Sequence, residues 1–385
     1  MRIQVCLVSA QAAANLLPAL DPKFKPDKIV LVVTRRMQRQ ADNLLKVLRE
    51  NTIQVELFNL GNEQHFRQTE EELTELAVRL DGNEVMLNIT GGTKLMSAAA
   101  QSVAGVSDWR MFYVDADTDQ VIWLGKDEPE PQSLQQQLRL RHYLRSYGFS
   151  LPAVPQRPHA EFGHQELLRI LTTRTGSYQD ALGMLNYLAQ NAEDRNSLSI
   201  RLDESQRDSR SLEALLRDFE DADVLEVSNN AIRFHSDADR DFVKGGWLEL
   251  HAMQTVHELS GKLGIRDSAM GLEVVDDATG TKNELDIALM ARNRLFVIEC
   301  KTARIDKPVG SSRNPLPPKA NDTLFKLAEN CKRIGGSGTR GMLLSYRKLK
   351  EPELRLADAL NIKVVSGGDI SRLPEMLTKW ISPNS

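Results

Sequence analysis

Two acidic residues and a lysine in the C-terminal third have the types and spacing of a hydrolytic metal site. In the segment ELDIALM, Leu285, Ile287 and Leu289 alternate with Asp286, which turns the Asp286 carboxylate away from the packed face of a strand. In LFVIECK, Glu299 and Lys301 are two apart and share a face. With Arg292 and Asn293 as the central residues of a turn, the register puts Asp286 opposite Glu299 and Glu284 opposite Lys301. Facing carboxylates repel unless a cation sits between them. Hard oxygen donors select Mg²⁺ or Mn²⁺, so Asp286 and Glu299 are the expected metal ligands. Lys301 beside them is placed to orient a water and to balance charge building on a phosphate. Glu249 lies at the edge of the apolar stripe Leu248, Ala252, Val256 and Leu259 of a preceding helix, within reach of the sheet.

A second constellation lies near the other end of the chain. The strand Val85–Ile89 runs into Thr90, Gly91, Gly92, Thr93 and Lys94, followed by a helix of small residues. Strand, glycine-rich turn and helix aim backbone N–H groups and a helix dipole at an anion, and Lys94 adds a point charge. Neither GxxxxGK[ST] nor an early GxGxxG is present, so this is not a Walker or dinucleotide loop. In a doubly wound sheet the same edge gathers Ser9 and Gln11 after the first strand, Thr34 and Arg35 after the second, and Asn62 after the third. That crevice is polar, poor in acids and suited to an anionic nucleotide.

The elements that must carry these groups follow from periodicity. Residues 1–125 alternate short apolar runs with helical stretches, predicting a parallel sheet covered on both faces and closed by the hairpin Arg110–Val114 with Gln120–Leu124. Residues 126–160 read as a helix and a proline-spotted linker. Residues 161–240 read as three helices and a hairpin turning at Asn229 and Asn230, the outline of a winged helix. The third helix is acidic, which disfavours a DNA-reading role and favours a spacer. Residues 245–385 read as a helix, a three-stranded meander, a Pro/Gly-rich loop over Lys307–Lys319, and a helix, strand, helix, strand and helix. The expected domains are therefore 1–150, 151–244 and 245–385 in an α/β fold.

Composition narrows the function classes. The chain has 385 residues and three widely spaced cysteines with no CxxC pair, against a disulfide scaffold or a zinc knuckle. No apolar window is long enough for a membrane span, and the first residues do not form a signal sequence; a cytoplasmic protein with no membrane partner is expected. Lys and Arg number 49 against 53 Asp and Glu, yet residues 301–350 alone carry a strong positive excess. A basic block in an acidic chain is a footprint for phosphates. Aromatics at 5% argue against a base-stacking strip.

Glu249, Asp286 and Glu299-x-Lys301, on a helix followed by a three-stranded meander, a helix and a strand, resemble the PD-(D/E)xK restriction-endonuclease-like core. The resemblance implies that the two acids bind the metal, that the lysine assists the water and that the helical glutamate completes the site. Residues 1–150 resemble the CARF domain, a CRISPR-associated Rossmann-like fold. There the strand-end Gly/Thr/Lys motif contacts cyclic oligoadenylate across a dimer axis. The order of parts is similar to that of CRISPR-ancillary nucleases. It implies a cyclic tetra-adenylate-activated, metal-dependent nuclease of DNA and/or RNA, acting as a homodimer in antiviral defence, with the Pro/Gly-rich loop as a gate. The alternatives are a ligand-gated transcription regulator with an inactive C-terminal domain and a constitutive nuclease that senses nothing.

Overall fold

The structure is a computed structural model that describes residues 1–116, 118–125, 128–152, 164–302 and 319–382. The proposed gate over Lys307–Lys319 lies, apart from its last residue, outside the described residues.

The first sheet is built from β1 (Arg2–Leu7), β2 (Lys28–Val33), β3 (Gln54–Asn59), β4 (Glu84–Asn88), β5 (Arg110–Asp115), β6 (Gln120–Leu124) and β7 (Gln132–Ser133). Its order is β3-β2-β1-β4-β5-β6-β7, parallel from β3 through β5 and antiparallel beyond. β1 is buried along nearly its whole length, as a strand covered on both faces must be. The expected helix over 38–50 is present as Gln38–Glu50, its apolar stripe Ala41, Leu44, Val47 and Leu48 buried.

After a short helix, Leu140–Ser146, the chain adds β8 (Phe149–Ser150) to the far sheet, a strand that the polar linker composition hid. The middle unit packs helices 165–173, 175–194 and 210–221 on a small sheet of β9 (Ser199–Arg201), β10 (Leu225–Ser228) and β11 (Ala231–Phe234). Asn229 and Asn230 both take left-handed φ (50° and 59°), as a two-residue hairpin turn demands.

The third sheet contains β12 (Ile265–Asp276), β13 (Lys282–Ala291), β14 (Arg294–Lys301), β15 (Arg340–Ser345) and β16 (Ile362–Ser366), in the order β16-β15-β14-β13-β12-β8. β12 to β14 form the expected meander, and β15 and β16 continue it in parallel.

The pieces are joined by shared cores. One buried cluster runs from Leu171, Leu185 and Phe219 of the middle unit through Trp247 and Val256 to Ile287, Ile298 and Leu344 of the third sheet. The other face of that sheet, Ala288, Met290 and Val297, packs in one cluster with Leu16, Leu44 and Leu48 of the first unit. Burial at roughly 25 cal/mol per Å² of apolar surface makes these the main forces holding the three pieces together.

Candidate active site and ligand crevice

The strand pair carrying the acidic cluster follows the expected register. Arg292 and Asn293 take φ 51° and 55°, and pairing runs from Ala291–Arg294 to Ile287–Ile298. There the ladder stops, and the Asp286 carboxylate takes over: its Oδ2 accepts the Cys300 N–H at 2.7 Å. Lys301 Nζ lies 2.6 Å from Glu299 Oε1 and 3.6 Å from the same Asp286 oxygen. Asp286, Glu299 and Lys301 thus meet on one side of the sheet.

The expected alternation does not hold through Asp286. Leu285 belongs to the cluster facing the first unit, whereas Ile287 belongs to the cluster facing the middle unit. The cause sits on the neighbouring strand. Register places Gly271 across from Asp286, and Gly271 has φ +58°, a left-handed backbone that kinks β12. The kink aims the Asp286 side chain along the sheet toward β14. On their other edges Glu284 pairs with Glu273 of β12 and Lys301 with Ser345 of β15, while the β13–β14 ladder ends at Ile287–Ile298, before Glu284 and Lys301 are reached.

Electrostatics mark the cluster as short of positive charge. Burial, then Asp286 and Glu284, push Glu249 up to about 7. Burial, then Asp286, raise the Glu299 carboxyl as well. Burial works against the Lys301 ammonium, but Asp286 and Glu299 outweigh it and hold its pKa above the ordinary value. One ammonium therefore serves several carboxylates. Among the described residues, no group of three or more His, Cys, Asp or Glu side chains is arranged to hold a metal ion. Asp286 and Glu299 are nonetheless hard oxygen donors in a half-buried acidic cluster, a donor set that suits a small divalent cation.

Three contributors were not visible in sequence. Thr302, next to Lys301, is buried and donates to the Lys244 carbonyl at 2.9 Å, with the Asn186 amide 3.0 Å from its hydroxyl. Its partners lie 58 and 116 residues away, so no local pattern could reveal them. Glu284 adds charge to the cluster through space, and Asn293 anchors the hairpin turn.

The second constellation gathers at the carboxyl ends of β1 to β4, where the order reverses between β1 and β4. Ser9 and Gln11 follow β1, Thr34 and Arg35 follow β2, Asn62 follows β3, and Thr90–Lys94 follow β4. Gly91 is required by close packing, since a Cβ there would stand 2.0 Å from the Leu7 carbonyl oxygen. Thr93 caps helix 94–106 by accepting the Met96 N–H at 3.2 Å. Lys94 is exposed in the first turn. The Thr90 hydroxyl is engaged internally, donating to Asn88 Oδ1 at 2.6 Å and accepting the Val114 N–H at 2.7 Å. Thr90 therefore shapes the loop, and Lys94 is the group left facing outward. Gln11 reaches the third unit, its amide 3.3 Å from the Ser337 hydroxyl. A cavity of about 550 Å³ opens there between Gln11, Arg36, Arg39, Lys332 and Arg333.

Comparison with known proteins identifies the two domains in which these clusters lie. Residues 3–143 match the family described as the Card1 CARF domain, and residues 236–383 match the Card1-like endonuclease domain. Protein VC1899 from Vibrio cholerae has the same fold at 24% identity, with a TM-score of 0.88 over 99% of this chain and 98% of that one. Can2 from Sulfobacillus thermosulfidooxidans, solved in complex with cyclic tetra-adenylate, is 22% identical, with a TM-score of 0.80 over 99% of this chain and all of that one. A type III CRISPR defence DNA nuclease activated by cyclic oligoadenylate is 18% identical, with a TM-score of 0.54 over 90% of this chain and 46% of that one. No curated protein sequence matches the chain.

Proposed function

We propose that the chain, which carries a match to the Card1 CARF domain followed by one to the Card1-like endonuclease domain, is a CRISPR-ancillary nuclease of the Card1 type that cuts phosphodiester bonds of DNA and/or RNA when cyclic tetra-adenylate occupies the crevice. The observation that carries this reading is the meeting of Asp286, Glu299 and Lys301 on one side of a kinked strand pair. Asp286 and Glu299 would hold Mn²⁺ or Mg²⁺. Bound there, the ion supplies Lewis acidity to the phosphate and lowers the pKa of water. Lys301, kept charged by its two carboxylates, orients the attacking water and balances charge growing on the phosphoryl oxygens. Glu249 completes the acidic wall from its helix.

In the sensor, Ser9, Gln11, Thr34, Arg35, Asn62 and Thr90 to Lys94 would form the ring site, with Lys94 and the start of helix 94–106 facing phosphate. Phe66, Val78, Leu95 and Val106 are exposed apolar side chains on helices 66–79 and 94–106, which supports a homodimer sharing the ring. The middle unit, 151–244 in our parsing, acts as a spacer; its acidic helix 210–221 supports this over a DNA-reading role. No described helix is long and apolar enough to cross a membrane.

The test is purified protein with labelled single- and double-stranded DNA and RNA, with Mn²⁺, with and without cyclic tetra-adenylate. Ring-dependent cleavage is expected. Cleavage at equal rate without the ring would favour a constitutive nuclease, and no cleavage of any substrate would remove the enzymatic reading.

A further inference from the structure

The turn that joins the two acidic strands is held by the sensor. Asn293 is 8% exposed, and its side chain makes two bonds to the linker backbone. Its Oδ1 accepts the Leu138 N–H at 2.8 Å, and its Nδ2 donates to the Gln136 carbonyl at 3.2 Å. Next to it, the Arg294 guanidinium donates to the Ala116 carbonyl, in the turn between β5 and β6, at 3.2 Å. The linker is itself pinned to the sensor, because the Gln136 N–H donates to the fully buried Asp21 carboxylate at 2.8 Å. Asp21 ends helix 13–20, whose Asn15 donates to the Leu7 carbonyl at the end of β1. Asn88 donates to the Ala14 carbonyl and to Asn15 Oδ1, and accepts from Thr90. Bonds and one short helix thus connect the crevice loop to the hairpin that carries Asp286, Glu299 and Lys301.

We propose that Asn293 is a positioning residue through which the sensor sets the placement of the catalytic hairpin. The proposal rests on the nuclease reading above and adds the route of regulation. Arg292 and Asn293 form the whole turn, so any displacement of the linker reaches β13 and β14 together. Shared polar bonds suit a joint that must be specific in position, whereas the apolar contact around it holds the units together without fixing the turn. Asp119 faces the same turn: burial pushes its carboxyl up to about 6, while Asn293, Arg294 and Arg292 pull it back. Coupling requires that the ring bind the arrangement that positions the hairpin better than the one that does not.

Asn293→Gly tests this directly, because glycine keeps the left-handed turn and removes the side-chain bonds to Leu138, Gln136 and Asp119. Ring affinity and overall melting are expected to stay close to wild type. The ring-stimulated kcat should fall at least tenfold with little change in KM. Amide exchange at Asp286–Ala291 and Arg294–Lys301 is measured on the same variant without any ligand and should rise at least tenfold. Unchanged exchange overturns the proposal even if the wild type proves insensitive to the ring, an outcome that would count against the nuclease reading alone. Unchanged stimulation in a ring-responsive background overturns it as well, with Arg294→Ala as a second variant should Asn293→Gly prove poorly soluble.

Discussion

The Asp286 carboxylate accepts the Cys300 N–H at 2.7 Å, beyond the last paired residues of β13 and β14. A side chain thus closes the gap between two strands where the backbone ladder has ended. The same oxygen lies 3.6 Å from the Lys301 ammonium, so the carboxylate has a structural and an electrostatic duty together.

Those duties separate by substitution. Asp286→Asn keeps an oxygen for the Cys300 N–H and removes the charge; Asp286→Ala removes both. A hydrogen bond to a charged partner contributes about 1.5–3 kcal/mol, so the alanine variant is expected to melt measurably lower and the asparagine variant close to wild type. Both should lose at least about 100-fold in cleavage rate. Scanning calorimetry beside a cleavage assay checks it, and an active Asp286→Asn enzyme would exclude this carboxylate from the chemistry.

The two sites should fail independently. Glu299→Gln or Lys301→Ala is expected to abolish cleavage while leaving ring binding intact. Lys94→Ala is expected to weaken ring binding by about tenfold, the loss of a single charge contact worth ~1.4 kcal/mol, while cleavage at saturating ring persists. Calorimetric titration with cyclic tetra-adenylate and a cleavage assay on the same preparations read both losses.

Much of this arrangement was legible in the residues. The helix over 38–50 and the turns at Asn229–Asn230 and Arg292–Asn293 came from local patterns, apolar period in one case and left-handed asparagines in the others. The gathering of Ser9, Thr34, Asn62 and Lys94 followed from parallel topology, which brings strand ends to one edge. What stayed hidden is non-local. β8 is two residues in a polar linker, and its pairing with β12 cannot be seen from composition. Simple alternation does not carry through Asp286, because it assumes a regular strand, whereas Leu285 and Ile287 pack on opposite faces beside the left-handed Gly271 of the neighbouring strand.

Acid sensitivity should arise outside the acidic cluster. Burial of His251 pushes its pKa down to about 4, although a backbone bond near Ile370 works the other way. An imidazole with a folded pKa below its ordinary 6.5 favours folding fully above that value. As pH falls from 6.5 toward 4, the unfolded chain takes the proton more readily than the folded one, and stability is lost. His251→Gln, which cannot charge, is expected to flatten the decline in melting temperature across that window. An identical slope in the variant would show that other groups govern acid unfolding.

Gly271 offers a test of the kink without touching any acidic residue. Its φ of +58° is disfavoured for a residue with a Cβ, by roughly 1–2 kcal/mol. In Gly271→Ala that cost is relieved if β12 straightens, which restores alternation at Asp286 and turns its carboxylate off Cys300. The nearest atom to the new methyl is Glu284 Oε1 at 3.5 Å, an ordinary contact, so crowding does not confuse the result. The variant is expected to fold with a modestly lower melting temperature, bind the ring normally and cleave at least about tenfold more slowly, since small misplacements of reacting groups are costly. Wild-type cleavage together with wild-type exchange at the Cys300 amide would show that the kink does not aim Asp286.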